Sequence, residues 1–474
     1  MSTSPRIIDL EAVKNLVGQV PAYTEFPTVD QLTDRAEAVA ASAPGVARRR
    51  RIGSSRLGEP IHALTIGDAA RHAVVFGGVH PNEPIGGLTA LHLAETLVGD
   101  KELLAALGYT WHIVTCIDPD GMRLNEGWFG ATMNRAEYGR HFYRPAPDEQ
   151  VEWTFPLEYK ELYFDRVIPE TLALMRLIDD VRPTFMCSLH NGELGGVYYY
   201  LSREAPELYP ALHAIPAHLG IPLDTGEPEA PYVPRLAAAI FGDTSVEEAY
   251  EYRRKLGLDP GGDMASGTSS GAYASRHNTF TLVSELPYWT HPDAGDGRPS
   301  DTNYAAVLRD RAAGMTELGD LLIDVLSQAG PDLQLNTPYL RASRQFAPHF
   351  TQLAEQESRR AELPESDRRA TVAESFTGAD LVHCFRLRYG GMVLRALEAE
   401  ITAGNGTPLI RAQHARLEAT YNRWGEEAIK VTPPTTIPIG SLVGVQYGAI
   451  LAAACYAADR FGPTSIPAEA DWSG

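Results

Sequence analysis

Four side chains at widely separated points of this 474-residue chain could do chemistry together. The stretch AVVFGGVHPNEPIGGLTALHLAETL, residues 73–97, runs as an apolar strand, breaks at Gly77-Gly78 and restarts as an amphipathic helix. His80 and Glu83 stand at the break. The apolar run TFMCSLH ends in His190, and TFTLVSEL carries Glu285 near its end. Two neutral imidazoles and one carboxylate are a three-ligand set used by catalytic zinc, with a fourth position left for water. Such a metal brings the pKa of its water to about 7. A further carboxylate can then act as general base and pass the proton to a leaving amine. On this reading His80, Glu83 and His190 hold one zinc ion and Glu285 is the base. Each has a plainer reading alone: His-x-x-Glu recurs by chance, His190 could be a core histidine bonded to a backbone carbonyl, and Glu285 could be a solvated strand end. Together they fall at strand termini, where packing does not ask for them.

The elements that must position them alternate. TVDQLTDRAEAVAASAPG reads as a helix capped at Thr28 or Asp30 and stopped at Pro44-Gly45. PIHALTIG, HAVVFGGV, TWHIVTCI, TFMCSLH and TFTLVSEL read as strands. EPIGGLTALHLAETLV, IPETLALMRLIDDV and the long segment 303–330, closed by Gly330, read as helices. This is an α/β pattern: a mixed, mostly parallel central sheet with helices on both faces. Ligands of such sheets bind in crevices at the carboxyl ends of the strands. Beyond Pro331 helical spacing dominates. The expected division is a catalytic domain over 1–330, with a helical insertion at about 227–262 inferred from RLAAAIFG and VEEAYEYRRKLG, and a helical C-terminal region over 331–474.

The net charge of −20 argues against nucleic acid and anionic membranes as partners, since both reward a basic surface. The one dense basic run, Arg48 to Arg51, reads as a charged strand edge. SLVGVQYGAILAAACYAA, the longest apolar candidate, is interrupted by Gln446 and Tyr447 and reads as a buried helix rather than a membrane span. Four cysteines and an N-terminus without a basic-then-apolar signal pattern fit a reducing cytoplasm.

With these residues in place, the sequence resembles the zinc metallocarboxypeptidase family (carboxypeptidase A-like peptidases) over roughly residues 20–330. IGSSRLGEPIHALTIG resembles its opening strand pair, and GGVHPNEPIGG its first two metal ligands, His80 and Glu83. DPDG at Asp118 resembles its Asn-Pro-Asp-Gly turn, SLHNG the strand with the third ligand, His190, and residues 266–286 the pocket loop and catalytic glutamate, Glu285. The resemblance implies two arginines. One polarises the scissile carbonyl: Arg123, with Arg135 as the fallback. The other clamps the substrate carboxylate within an Asp-Leu-Asn-Arg-Asn-Phe motif, matched here to Glu137–Phe142, which makes Arg140 the clamp. A planar guanidinium suits both tasks. Glu137 then stands where an aspartate orients the first histidine, and Gly139 replaces an asparagine. Counting back from Glu285, the mobile tyrosine of the family falls on Asp263, so its role is lost or passes to Tyr273 or Tyr199. The same count puts Ser270 at the base of the specificity pocket, which suggests a small or polar substrate group.

The leading expectation is zinc-dependent hydrolysis of an amide beside a free carboxylate, with a peptide C-terminus as substrate. A second keeps the metal and takes small N-acyl amino acids, as do the related aspartoacylase and succinylglutamate desuccinylase. A third is a catalytically silent binding protein. The C-terminal helices are expected to cap the cleft, restrict it to small substrates, or build a homo-oligomer interface.

Overall fold

A computed structural model describes residues 9–130, 134–261, 266–431 and 433–462. Nine strands form the main sheet: β1 (Ala47–Ser54), β2 (Pro60–Ile66), β3 (His72–Phe76), β4 (Thr110–Val114), β5 (Phe185–Asn191), β6 (Tyr198–Leu201), β7 (Arg235–Ala237), β8 (Ile240–Gly242) and β9 (Phe280–Leu286). Their spatial order is β1-β2-β4-β3-β5-β9-β6-β8-β7. The central four, β4-β3-β5-β9, are mutually parallel, so their carboxyl ends share one edge. Antiparallel strands flank them on either side. Every residue of β4 and β5 is buried, as continuous apolar runs covered on both faces require. The arginine-rich run lies on β1 at the outer edge of the sheet, where charge opposes edge-to-edge pairing.

Eleven of the helices, labelled in chain order, are α1 (Leu10–Val17), α2 (Val29–Ser42), α3 (Pro84–Gly99), α4 (Pro119–Arg123), α5 (Arg135–His141), α6 (Pro169–Val181), α7 (Tyr304–Ala329), α8 (Pro338–Ala361), α9 (Val372–Thr402), α10 (Pro408–Val431) and α11 (Ile439–Arg460). Thr28 closes a capping box with Gln31 and so starts α2. Strand alternation divides the core in two. Ala73, Val75, Cys187 and Leu189 face α3 and α11, while Val74, Phe76 and Met186 face Leu174, Leu177 and Ile178 of α6.

RLAAAIFG is not helical. It forms the hairpin β7–β8, with Ala239 at φ +54. Ile240 and Phe241 are buried in register with Tyr199 and Tyr200 of β6, and that pairing decides a short apolar run whose spacing suits either state. VEEAYEYRRK does form a helix, Val246–Lys255.

The helices beyond residue 330 share the larger core with the sheet. α11 is long and apolar enough to cross a membrane, yet it is largely buried against α3, β5 and β9. Its interrupting polar residue has a task. Gln446 is fully buried, accepts from Thr89 Oγ1 (2.8 Å), and donates Nε2 to the carbonyls of His190 (2.9 Å) and Ser284 (3.3 Å). One side chain thus ties the ends of β5 and β9 together and holds both to α3.

Candidate metal centre and active site

Strand register sets the first row of the site. His190 on β5 pairs with Glu285 on β9, and Glu285 pairs with Tyr198 on β6. All three side chains therefore leave the same face at the carboxyl edge. β3 supplies the rest. After Phe76 the chain passes Gly77, where a Cβ would lie 2.4 Å from the carbonyl carbon of Gly86, and Gly78, at φ +69. Only glycine allows so close an approach and that backbone. The reversal carries His80 and Glu83 to the strand ends. Glu83 is the N-cap of α3 by position but makes no capping hydrogen bond; its carboxylate points to the site instead.

The geometry is tight. His190 Nδ1 lies 3.4 Å from Glu83 Oε2 and 3.6 Å from Glu285 Oε1. Its Nε2 is 2.8 Å from Ser188 Oγ, which fixes the ring. The His80 ring stands 4.9 Å from that of His190 at 72°. One ligand atom from each of His80, Glu83 and His190 lies within 4.8 Å of the others. His80 Nδ1 and Glu83 Oε2 are buried without a hydrogen-bond partner among the described residues. Buried polar atoms normally have partners. Two orphans facing one point, beside a third donor, fit a cation.

The electrostatics agree. Burial, with help from Arg144 and His190, holds His80 well below the usual imidazole range, and burial beside Arg144 brings His190 down to about 3. Both rings are neutral at pH 7 and have lone pairs to give. Burial pushes Glu83 up to about 8. Glu285 goes well above the carboxylate range through burial and the nearby charges of Glu229 and Glu83. Burial and mutual repulsion oppose ionising both carboxyls, and a cation between them would relieve that.

The arginines stand elsewhere than the motif reading put them. Arg123, at the end of α4, bonds Glu59 (2.6 Å) and Asp30 (2.7 Å). Arg135 is wholly buried between Glu193 (2.7 Å) and Asp380 (2.6 Å). Arg140 is engaged by Glu398 and faces Tyr421. None of the three bonds a residue of the triad. Arg144 does: its Nη2 donates to Glu83 Oε1 at 3.0 Å. The motif Asp-Leu-Asn-Arg-Asn-Phe can also be laid on His141–Ala146, four residues further along, which puts its arginine on Arg144.

Other expected residues are likewise placed. Glu137 bonds Asn134 rather than His80. Gly139 has a packing reason: Leu387 of α9 lies 2.9 Å from where its Cβ would be. Ser270 is buried and donates both its amide and its Oγ to Glu152 Oε1 (3.0 Å each), which sets an acid behind the serine. Tyr273 packs its ring in the core under α6 and donates to the exposed Asp179 (2.6 Å). Tyr199 faces away from the Glu285 row, whereas Tyr198 lies in it and donates to Glu229 (2.9 Å). Asp263 lies outside the described residues. The alternation of YYYL could have singled out Tyr198; nothing local could have singled out Glu229.

Residues 32–225 match the family model described as zinc carboxypeptidase. The likeness is to the zinc carboxypeptidases. Within it fall His80, Glu83, His190 and Arg144, while Glu285 and the C-terminal helices lie beyond it. Among solved structures the chain matches carboxypeptidase A from Helicoverpa armigera (15% identity, 74% of this chain and 80% of that one, TM-score 0.34). A metallo-carboxypeptidase from Burkholderia cenocepacia matches at 17% identity, 55% and 60% coverage and TM-score 0.34. Bovine thrombin-activatable fibrinolysis inhibitor, in complex with tick carboxypeptidase inhibitor, matches at 14% identity, 56% and 87% coverage and TM-score 0.35. No curated protein matches the chain.

Proposed function

We propose that the protein is a zinc-dependent hydrolase that cleaves an amide bond next to a free carboxylate, with a peptide C-terminus as the default substrate. One observation carries this reading: two neutral imidazoles and a carboxylate, two of their atoms orphaned, converge at a sheet edge beside a second carboxyl. A zinc ion held by His80, Glu83 and His190 would supply Lewis acidity toward water and the scissile carbonyl. The residues do the rest. Glu285, next to His190, takes the proton from the attacking water and returns it to the leaving nitrogen. Ser188 keeps Nδ1 of His190 turned inward. Arg144 offers a planar fork to a substrate carboxylate.

Enclosure favours the small-substrate alternative. His80, Glu83, His190 and Glu285 are only 3–6% exposed, which suits an N-acyl amino acid better than a long peptide. The deciding experiment incubates zinc-loaded protein with a mixed peptide set and with N-acyl amino acids, with and without a chelator. Chelator-sensitive loss of C-terminal residues supports the carboxypeptidase, and loss of the acyl amino acids supports the deacylase. No turnover by stoichiometrically zinc-loaded protein would leave a silent scaffold.

A further inference from the structure

α9 crosses the site end of the molecule at very short range. At Gly391 an added Cβ would lie 2.0 Å from the carbonyl oxygen of Gly139 on α5. Two glycines let the helix axes approach, and the residues just before Gly391 are then pressed toward the metal centre. Arg388 and Met392, at i and i+4, share the helix face that arrives there, and Tyr389, three residues before Met392, borders it. Met392 Sδ receives the backbone N–H of Arg144 (3.5 Å), and Arg144 acts on the Tyr389 hydroxyl. Arg388 Nε donates to Glu193 Oε2 (2.8 Å), and its guanidinium stands over the rings of Phe142 (5.3 Å) and Tyr138 (5.8 Å).

This anchoring uses one nitrogen. The two terminal nitrogens of Arg388 bond no described residue, yet they are not among the atoms sealed from solvent without a partner. The side chain keeps 8% of its surface exposed, and its cation acts on the charges at the site, Glu83, Glu285 and His80. A guanidinium held by its Nε and by aromatic walls, with its fork free, is built to receive a planar anion.

We propose that Arg388, carried on α9 of the helical C-terminal region, is a substrate-binding residue of the metal centre and shares the substrate carboxylate with Arg144. This rests on the hydrolase reading above and deepens it. The catalytic edge is completed by a helix outside the segment that matches the zinc carboxypeptidases.

The test compares Arg388→Met and Arg388→Lys with the wild type, and with Arg386→Met, which removes a second arginine of the same helix that pairs with Glu317 instead of the site. Zinc content and melting curves establish that each variant is folded and loaded. Steady-state kinetics then use matched substrate pairs, each ending in a free carboxylate or in its amide. Arg388→Met is expected to raise KM for the free acids at least tenfold with kcat within about threefold, and to erase the preference for acid over amide. Arg388→Lys keeps the charge on Glu193 but lacks the fork, so it recovers part of that preference. Independently of turnover, titration of metal-free protein with N-acetyl amino acids should show affinity at least tenfold weaker in Arg388→Met and unchanged in Arg386→Met. Folded variants that keep both the acid preference and that affinity would overturn the role of Arg388. If Arg388→Met does not fold, Arg388→Lys decides on the same two readouts. A wild type that turns over neither member of any pair would refute the hydrolase reading, and the binding titration would still decide for or against Arg388.

Discussion

Two buried polar clusters lie side by side in this molecule and differ in one respect. In the first, the Arg135 guanidinium is held by Glu193 and, bidentately, by Asp380, and contacts at 2.6–3.1 Å satisfy its charge. At the strand ends, His80 Nδ1 and Glu83 Oε2 have no partner, and burial lifts two carboxyls out of their ordinary range. The first cluster is finished by the protein alone; the second is finished only by something added. Burial by itself does not mark a working site. Orphaned metal-ligating atoms gathered within reach of one point do, because a buried orphan costs about 1–3 kcal/mol and persists where something offsets it.

The contrast can be broken in four places. The largest effect belongs to Glu285→Gln, which should retain zinc and lower kcat by about 10³-fold or more, whereas Glu83→Gln should lose stoichiometric zinc; metal analysis and turnover together separate the two. Normal hydrolysis by Glu285→Gln would remove the general base from this account. Next, Arg135→Met strands buried carboxylates and should destabilise folding by about 3–5 kcal/mol in chemical denaturation. The folded fraction should bind zinc as before, and metal loss would mean that the two clusters are one. Third comes pH. Burial pushes Glu152 up to about 8. Between about 4.5 and 8 the folded state keeps a proton that the unfolded chain has released. Stability therefore falls as pH rises through that window, by up to about 1.4 kcal/mol per unit. Glu152→Gln should flatten the slope, and parallel slopes in variant and wild type would show the carboxyl to be ionised. The smallest effect is that of Arg123→Ala, whose partly exposed pairs with Glu59 and Asp30 are worth about 1 kcal/mol or less. A collapse of kcat/KM there would return Arg123 to the reaction.

How much of this was legible in the sequence depended on the distance over which a residue acts. His80, Glu83, His190 and Glu285 end apolar runs, and strand alternation with the parallel-sheet rule is enough to bring them to one edge. The β7–β8 hairpin is not legible because the six apolar residues 236–241 have no decisive period of their own; pairing with β6 settles them. The arginines are less legible, for a different reason. Motif spacing within 134–145 is loose, so the choice between Arg140 and Arg144 turns on where α9 lies, which no local pattern encodes. Gln446 was visible only as a break in an apolar helix. Its bonds to His190 and Ser284 span 256 and 162 residues.

That last contact has a consequence for biogenesis. A nascent polypeptide exposes every strand-end ligand long before residue 446 is translated. Until α11 docks, the tips of β5 and β9 lack the side chain that fastens them to each other and to α3. Assembly of that corner therefore waits for α11 to be made.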